Sequence, residues 1–160
     1  MKKINIITGR YPLPKEIRAM EFSAIINVSD ELINSCAIAG KLSRALYFWF
    51  PCTECTPISM SSIYGCMQVL CNYSNVFIHC HAGACRSVII KQLYLLMVDS
   101  SECDTAFLQE YVNEGVLPTL DTLKPVLAAM LDVFYNVRET MRGGQLDSIL
   151  LHNKLTYITK

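Results

Sequence analysis

Residues 76–87, VFIHCHAGACRS, combine a cysteine, a glycine and an arginine in a pattern that can bind and attack an oxyanion. The β-favouring run before Cys80 and the apolar run after Ser87 predict a strand, a loop and a helix. A loop that enters a helix presents successive backbone N–H groups and the positive end of the helix dipole. Glycine within the loop lets the backbone approach an anion closely. We therefore expect a phosphate-sized anion to be bound by the backbone of His81, Ala82, Gly83, Ala84 and Cys85.

The side chains beside this loop suit nucleophilic chemistry. A thiolate at Cys80 would be stabilised by the loop N–H groups and by Arg86, and this stabilisation lowers the pKa of the thiol. The Arg86 guanidinium can bind two oxygens of a phosphate in bidentate geometry. Ser87 can donate a hydrogen bond to the thiolate when it departs. His79 is better placed to orient the loop backbone than to transfer a proton.

Two other roles for Cys80 compete with the nucleophile. A cysteine at a strand end is most often a buried core residue. A zinc site would need Cys52-x-x-Cys55 and a distant pair, and the spacing of Cys80 and Cys85 is wrong for a zinc knuckle. A histidine before the cysteine, a glycine inside the loop and a serine after the arginine make a chance match rare. We therefore favour the nucleophile and expect neither a metal nor an organic cofactor.

Composition indicates one domain without an electrostatic preference for nucleic acid. The chain has 160 residues, of which 52% are hydrophobic, and this is enough for a single core across residues 1–160. Lys plus Arg and Asp plus Glu are both 14, so we expect no nucleic-acid and no membrane partner. The apolar runs fall short of membrane-spanning length and no export signal is visible. These features predict an intracellular, cytoplasmic protein, with a nuclear location left open.

The hydrophobic pattern alternates strands with helices. Strands are predicted at 4–7, 23–29, 45–50 and 75–79, and helices at 14–22, 59–74, 87–99, 103–115 and 120–141. This order predicts a single α/β domain whose central, mainly parallel sheet of four to five strands has helices on both faces. Ligands of such folds bind at the carboxyl ends of strands, where Cys80 lies. The predicted core spans about 4–140, and 143–160 forms a C-terminal extension of undetermined role.

The run HCHAGACRS, from His79 to Ser87, resembles the His-Cys-x5-Arg-Ser signature loop of the cysteine-based protein tyrosine phosphatases. The short chain and the mid-chain position of the loop are similar to the dual-specificity branch. Weaker similarities at SAIINVSDE and NEGVLPTLDTLKPVL extend the resemblance over most of residues 4–135. The resemblance implies that Cys80 attacks a phosphomonoester and that a phosphocysteine intermediate is then hydrolysed. Arg86 and the loop N–H groups would stabilise the equatorial oxygens.

The general acid is the point at which the chain departs from that family. The family supplies it from an aspartate on a loop that precedes the signature cysteine. The corresponding loop here, residues 51–59, contains no aspartate, and Glu54 is its only carboxylate. We predict that Glu54 protonates the leaving group. Asp30, at a strand end, and Asp99, at a helix terminus, are the alternatives.

Cys85 has a placement similar to that of the second cysteine in the low-molecular-weight tyrosine phosphatases. A low-pKa Cys80 is open to oxidation, and a nearby thiol could trap its sulfenic acid as a disulfide. Cys85 is therefore a candidate redox partner, with Cys52 and Cys55 as rivals. The alternative is that Cys85 is only a small residue that fits the loop.

The predicted function is hydrolysis of phosphotyrosine and phosphoserine or phosphothreonine in a phosphorylated protein partner. Phosphoinositide phosphatases tend to carry lysines where this loop has His81 and Ala84, and RNA 5′-phosphatases usually have Thr-Gly in place of Ser87-Val88. Both substrates are thereby less favoured but stay open. The missing aspartate also keeps open a weakly active or inactive phosphoprotein-binding pseudophosphatase. Sulfur transfer and arsenate reduction are less favoured, and the oligomeric state is not indicated.

Overall fold

The computed structural model describes residues 4–19, 21–32 and 45–142. The predicted extension at 143–160 lies outside the described residues. The elements are arranged as one mixed α/β domain with a central sheet. In the part of the chain that is described, no helix combines the length and the apolar character needed to cross a membrane.

In the described part of the chain, four parallel strands form the sheet. They are β1 (Asn5–Gly9), β2 (Ala24–Asn27), β3 (Leu46–Trp49) and β4 (Asn75–His79), in the spatial order β1-β4-β2-β3. The register pairs His79 with Gly9 on one side and with Asn27 on the other. Because all the strands are parallel, their carboxyl ends meet at one edge of the sheet. The central strand β4 therefore delivers Cys80 to the middle of that edge.

Within the described residues, five α-helices and one short 3₁₀ helix accompany the sheet. They are α1 (Pro14–Ala19), α2 (Met60–Asn72), α3 (Arg86–Val98), α4 (Thr105–Asn113) and α5 (Leu120–Arg142), with the 3₁₀ turn at Ser100–Glu102. Ser59 caps α2 by accepting a hydrogen bond from the Ser62 N–H at 3.2 Å. Asp104 caps α4 in the same way, through the Phe107 N–H at 3.0 Å.

The alternation of buried side chains along the strands creates two core layers. Val76 and Ile78 of β4 point into the large cluster that is formed with α2 to α5. Phe77 points to the opposite face and packs with Ile17 of α1 and Ile25 of β2. Helices therefore cover both faces of the sheet, which confirms the predicted fold class, with four strands and an entirely parallel sheet.

The predicted helix boundaries need two corrections. The first helix ends at Ala19, short of the predicted 22, and Phe22 instead stacks against Phe77 with ring centroids 5.5 Å apart. The helix predicted from Cys103 begins at Thr105, because the Asp104 side chain caps it. A 3₁₀ turn that was not predicted precedes this helix. The strand 75–79 is as predicted.

Candidate active site at the carboxyl end of the sheet

The loop of residues 80–85 joins β4 to α3 and is held against the end of β1. The Cys80 N–H donates to the Gly9 carbonyl at 3.4 Å, and the Tyr11 N–H donates to the His81 carbonyl at 3.1 Å. Gly83 has φ +78°, and a Cβ there would lie 2.4 Å from the backbone nitrogen of Arg10. This position therefore requires glycine both for its backbone angle and for its close approach to the neighbouring strand.

The Cys80 sulfur lies at the base of this loop, with only 2% of the residue exposed. Its Sγ accepts a hydrogen bond from the Gly83 N–H at 3.3 Å and lies 3.5 Å from the Ser87 hydroxyl. Burial by itself raises the pKa of the thiol. Hydrogen bonds from the Ser87 hydroxyl and from the N–H groups of Ser87, Gly83 and Cys85 outweigh burial and leave the pKa of Cys80 below its usual value.

The start of α3 adds to this stabilisation. The N-cap residue is Cys85, whose side chain makes no capping hydrogen bond. The first N–H groups of the helix therefore remain available to another acceptor. The Ser87 N–H contributes to lowering the pKa of Cys80. The Cys80 sulfur thus benefits from the favourable end of the helix dipole.

Arg86 is the first residue of α3 and is a buried cation, with 4% of the residue exposed. Its Nη1 donates to the Cys52 carbonyl at 2.6 Å and lies 3.6 Å from the Asp30 carboxylate. Its Nε is buried and has no hydrogen-bond partner among the described residues. A buried donor without a partner costs free energy, so this atom fits an anion bound at the loop.

His79 is fully buried below the loop. Its Nε2 lies 2.8 Å from the Tyr47 hydroxyl and its Nδ1 lies 3.4 Å from the Cys80 carbonyl. Burial lowers the pKa of His79 to about 4, so the ring is neutral at physiological pH. This geometry agrees with the predicted orienting role and offers the ring no route to a substrate proton.

Glu54 is exposed on the loop that follows β3. Hydrogen bonds hold this loop on both sides of Glu54. Arg86 donates to the Cys52 carbonyl, and the Ile58 N–H donates to the Val116 carbonyl at 3.0 Å. The structure therefore brings the predicted acid loop into contact with the predicted phosphate loop. Whether Glu54 acts as the general acid stays a prediction.

The two alternative acids lie at opposite ends of the domain. Asp30 is part of the site, since its carboxylate approaches Arg86. Asp99 follows the far end of α3 and accepts a hydrogen bond from the Ser101 N–H at 3.2 Å. Because thirteen residues of α3 span about 20 Å, Asp99 lies too far from Cys80 to protonate a leaving group.

Cys85 is half-buried. Burial raises the pKa of Cys85, and the charges of Cys80 and Glu54 add to this, whereas its interaction with the Tyr111 side chain of α4 lowers it. The same interaction is the main cause that raises the pKa of Tyr111 to about 12. The cysteines that the structure describes, including Cys52 and Cys55, are free thiols. The redox partnership of Cys85 stays a prediction.

Sequence reasoning missed three partners of the site. They are Asp30 as a neighbour of Arg86, Tyr47 as a partner of His79, and Tyr111 as a partner of Cys85. The polar residues after β2 indicated Asp30, but only as an alternative general acid. Nothing in the sequence pairs the two tyrosines with their partners, because these contacts join separate elements of the fold.

No protein-family model matches the chain, and no curated protein matches its sequence at a significant level. Solved structures do match it. PTPMT1 in complex with PI(5)P gives a TM-score of 0.57 at 15% identity, over 84% of this chain and 94% of that one. DUSP15 gives 0.54 at 15% identity, over 87% and 95%.

A third similar structure is the core catalytic domain of the PP-IP phosphatase SIW14 from S. cerevisiae. It gives a TM-score of 0.55 at 13% identity, over 92% of this chain and 93% of that one. The chain therefore shares its fold with these three structures.

Proposed function

We propose that the protein hydrolyses phosphomonoesters through a phosphocysteine intermediate, and that its substrates are phosphotyrosine and phosphoserine or phosphothreonine in proteins. One observation carries the proposal. The buried Cys80 sulfur accepts backbone and hydroxyl hydrogen bonds, and the buried Nε of Arg86, six residues further on, has no hydrogen-bond partner among the described residues. Cys80 and Arg86 thus provide a thiolate nucleophile and a hydrogen-bond donor to a bound anion within one short segment.

In the first step, the Cys80 thiolate attacks phosphorus. The S–P bond forms while the bond between phosphorus and the leaving oxygen breaks. The leaving oxygen takes a proton from the Glu54 carboxyl, which avoids the release of an alkoxide or phenoxide. Arg86 and the N–H groups of the loop bind the equatorial oxygens and stabilise the charge that builds on them.

In the second step, water attacks the phosphocysteine. Its proton passes to the Glu54 carboxylate, the S–P bond breaks and inorganic phosphate leaves. The electron pair returns to the Cys80 sulfur, where the Ser87 hydroxyl and the Gly83 N–H stabilise the thiolate. The site is thereby returned to its starting protonation state.

The exposure of the loop favours activity on phosphoserine, phosphothreonine and phosphotyrosine in proteins over specificity for phosphotyrosine alone. His81, Ala82 and Ala84 are exposed at the mouth of the site. The short side chains of Ala82 and Ala84 leave room for both short and long phosphorylated side chains to approach the loop. The second candidate is a phosphoinositide, which the likeness to PTPMT1 in complex with PI(5)P favours.

Turnover of an aryl phosphate tests the proposal. The wild type is expected to hydrolyse it and to be inhibited by vanadate, whereas Cys80→Ser is expected to lose turnover, because serine is a far weaker nucleophile at neutral pH. Cys103→Ser is the matched control, since this half-buried thiol only donates to the Gln92 carbonyl. No Cys80-dependent turnover between pH 5 and 8 would instead indicate a phosphoprotein-binding module.

A further inference from the structure

Three carboxylates border the phosphate loop. Asp30 approaches Nη1 of Arg86, and the Glu31 carboxylate lies 3.6 Å from Nε2 of His81. Glu54 belongs to the loop whose Cys52 carbonyl binds Arg86. The side chains of Asp30 and Glu31 are 47% and 63% exposed, so their charges face a bound substrate as well as the loop.

A buried polar network holds two of these carboxylates in place. The Asn27 amide oxygen accepts hydrogen bonds from the Ser29 N–H at 2.8 Å and from the Ser29 hydroxyl at 2.7 Å. The Asn27 amide nitrogen and the Tyr11 hydroxyl donate to the Glu31 carbonyl at 2.9 and 3.0 Å. Asn27 and Ser29 are fully buried. Asp30 and Glu31 therefore project from a fixed turn.

Arg10 and Arg86 leave little positive charge near the loop for a second anion. Arg86 is buried, and its Nε, which has no partner among the described residues, is available to one anion. Arg10 follows β1, and its Nη2 donates to the Glu16 carboxylate at 2.9 Å. The backbone carbonyl of Tyr11 accepts a second hydrogen bond from Arg10, also at 2.9 Å. The described surroundings of the loop thus provide one anion-binding centre within a negative border.

We propose that this acidic border selects phosphorylated peptides that carry lysine or arginine next to the phosphorylated residue, and that it disfavours substrates with a second phosphate. The inference rests on the proposed function and assigns its substrate class. A flanking cation is attracted by Asp30 and Glu31, whereas a second phosphate is repelled by them.

Two phosphotyrosine peptides that differ only in their flanking residues test the inference. One carries lysine on both sides of the phosphotyrosine and the other carries glutamate. We expect kcat/KM to be about tenfold higher for the lysine peptide at low salt. The ratio should approach one at 1 M salt, where the Debye length is about 3 Å. A soluble phosphoinositide headgroup should be hydrolysed more slowly than either peptide.

Charge-removing variants identify the source of the preference. Asp30→Asn combined with Glu31→Gln should reduce the lysine-to-glutamate ratio about threefold. Because the readout is a ratio, any loss of turnover that affects both peptides cancels. Glu102→Gln is the matched control and should leave the ratio unchanged, since this exposed carboxylate follows the far end of α3.

The outcomes separate this inference from the proposed function. If the wild type hydrolyses the aryl phosphate but shows equal or reversed peptide preference, the charge selection is wrong and the phosphatase stands. Preference for the phosphoinositide headgroup over both peptides would also overturn it. If nothing is hydrolysed, the phosphatase proposal fails, and the affinities of Cys80→Ser for the two peptides then decide the charge preference alone.

Discussion

The loop of residues 80–85 and the loop of residues 51–59 both lie at the carboxyl end of the sheet, but they are held in different ways. The first is bonded to β1 by two backbone hydrogen bonds and has its glycine pressed against Arg10. The second is attached near its ends, through the Cys52 carbonyl and the Ile58 N–H, and Glu54 between them is exposed.

This difference separates two kinds of contribution to the proposed chemistry. The chemistry of Cys80 depends on fixed neighbours, because its low thiol pKa comes from N–H and hydroxyl donors at set positions. The contribution of Glu54 depends on where its loop places an exposed carboxyl group. Changes in the first loop should therefore affect folding and reactivity together. Changes at Glu54 should affect a single proton transfer.

Glu54→Gln is expected to give the largest effect. It should lower kcat by about 100- to 10,000-fold for an alkyl phosphate, because the leaving alkoxide then receives no proton. The loss should be small for an aryl phosphate with a highly acidic phenol. The measurement is kcat for both substrates, and Glu54→Asp should retain part of the activity. An equal loss for the two leaving groups would contradict the assignment of the acid.

Gly83→Ala should destabilise the fold by about 3 kcal/mol or more. The change combines a positive φ, which strains an L-residue, with a Cβ placed against the backbone of β1. Chemical denaturation measures the change, and alkylation of Cys80 should slow in parallel. Gly115→Ala is the matched control: its φ is +76° but nothing lies within 4 Å of the added Cβ. An equal loss at both glycines would show that the close approach to β1 contributes nothing.

His79 should make the stability of the first loop depend on pH. In the unfolded chain this histidine binds a proton below about pH 6.5, whereas in the fold it does so only below about pH 4. The unfolded state therefore binds more protons in that range, and stability falls as the pH decreases through it, by up to about 3 kcal/mol.

The measurement for His79 is the free energy of unfolding at several pH values between 4 and 7. His79→Gln should remove most of this slope, although the variant is itself less stable. An unchanged slope in His79→Gln would contradict the buried, neutral state of the ring.

Much of the fold was predictable from hydrophobic periodicity and turn residues. The apolar run before Cys80 is a strand with the predicted bounds, and the nine-residue run around it indicated the loop and the helix that follow. The helix ends were less predictable. Asp104 sets the start of α4 by capping it. Phe22 packs against Phe77 of the distant strand β4 and lies outside α1.

The site was only partly predictable, because some of its members are close in space and distant in sequence. Cys80, Gly83, Arg86 and Ser87 follow one another along the chain, so their relation is visible as a motif. Tyr47 and His79 are 32 residues apart, and Cys52 and Arg86 are 34 apart. Those contacts form only when parallel strands bring separate loops to the same edge.

The sequence by itself determined which atoms can react: a thiol, a guanidinium and backbone N–H groups at a helix start, all within one short loop. Only the tertiary structure decided what surrounds them. It buries His79 in its neutral form. It hydrogen-bonds Nη1 of Arg86 to the Cys52 carbonyl and leaves Nε of Arg86 without a partner among the described residues. It also places Asp30 and Glu31 beside the loop. The physical reason is that the spacing of residues along the chain determines which reactive groups lie in one loop, whereas their burial and electrostatic environment depend on packing between elements.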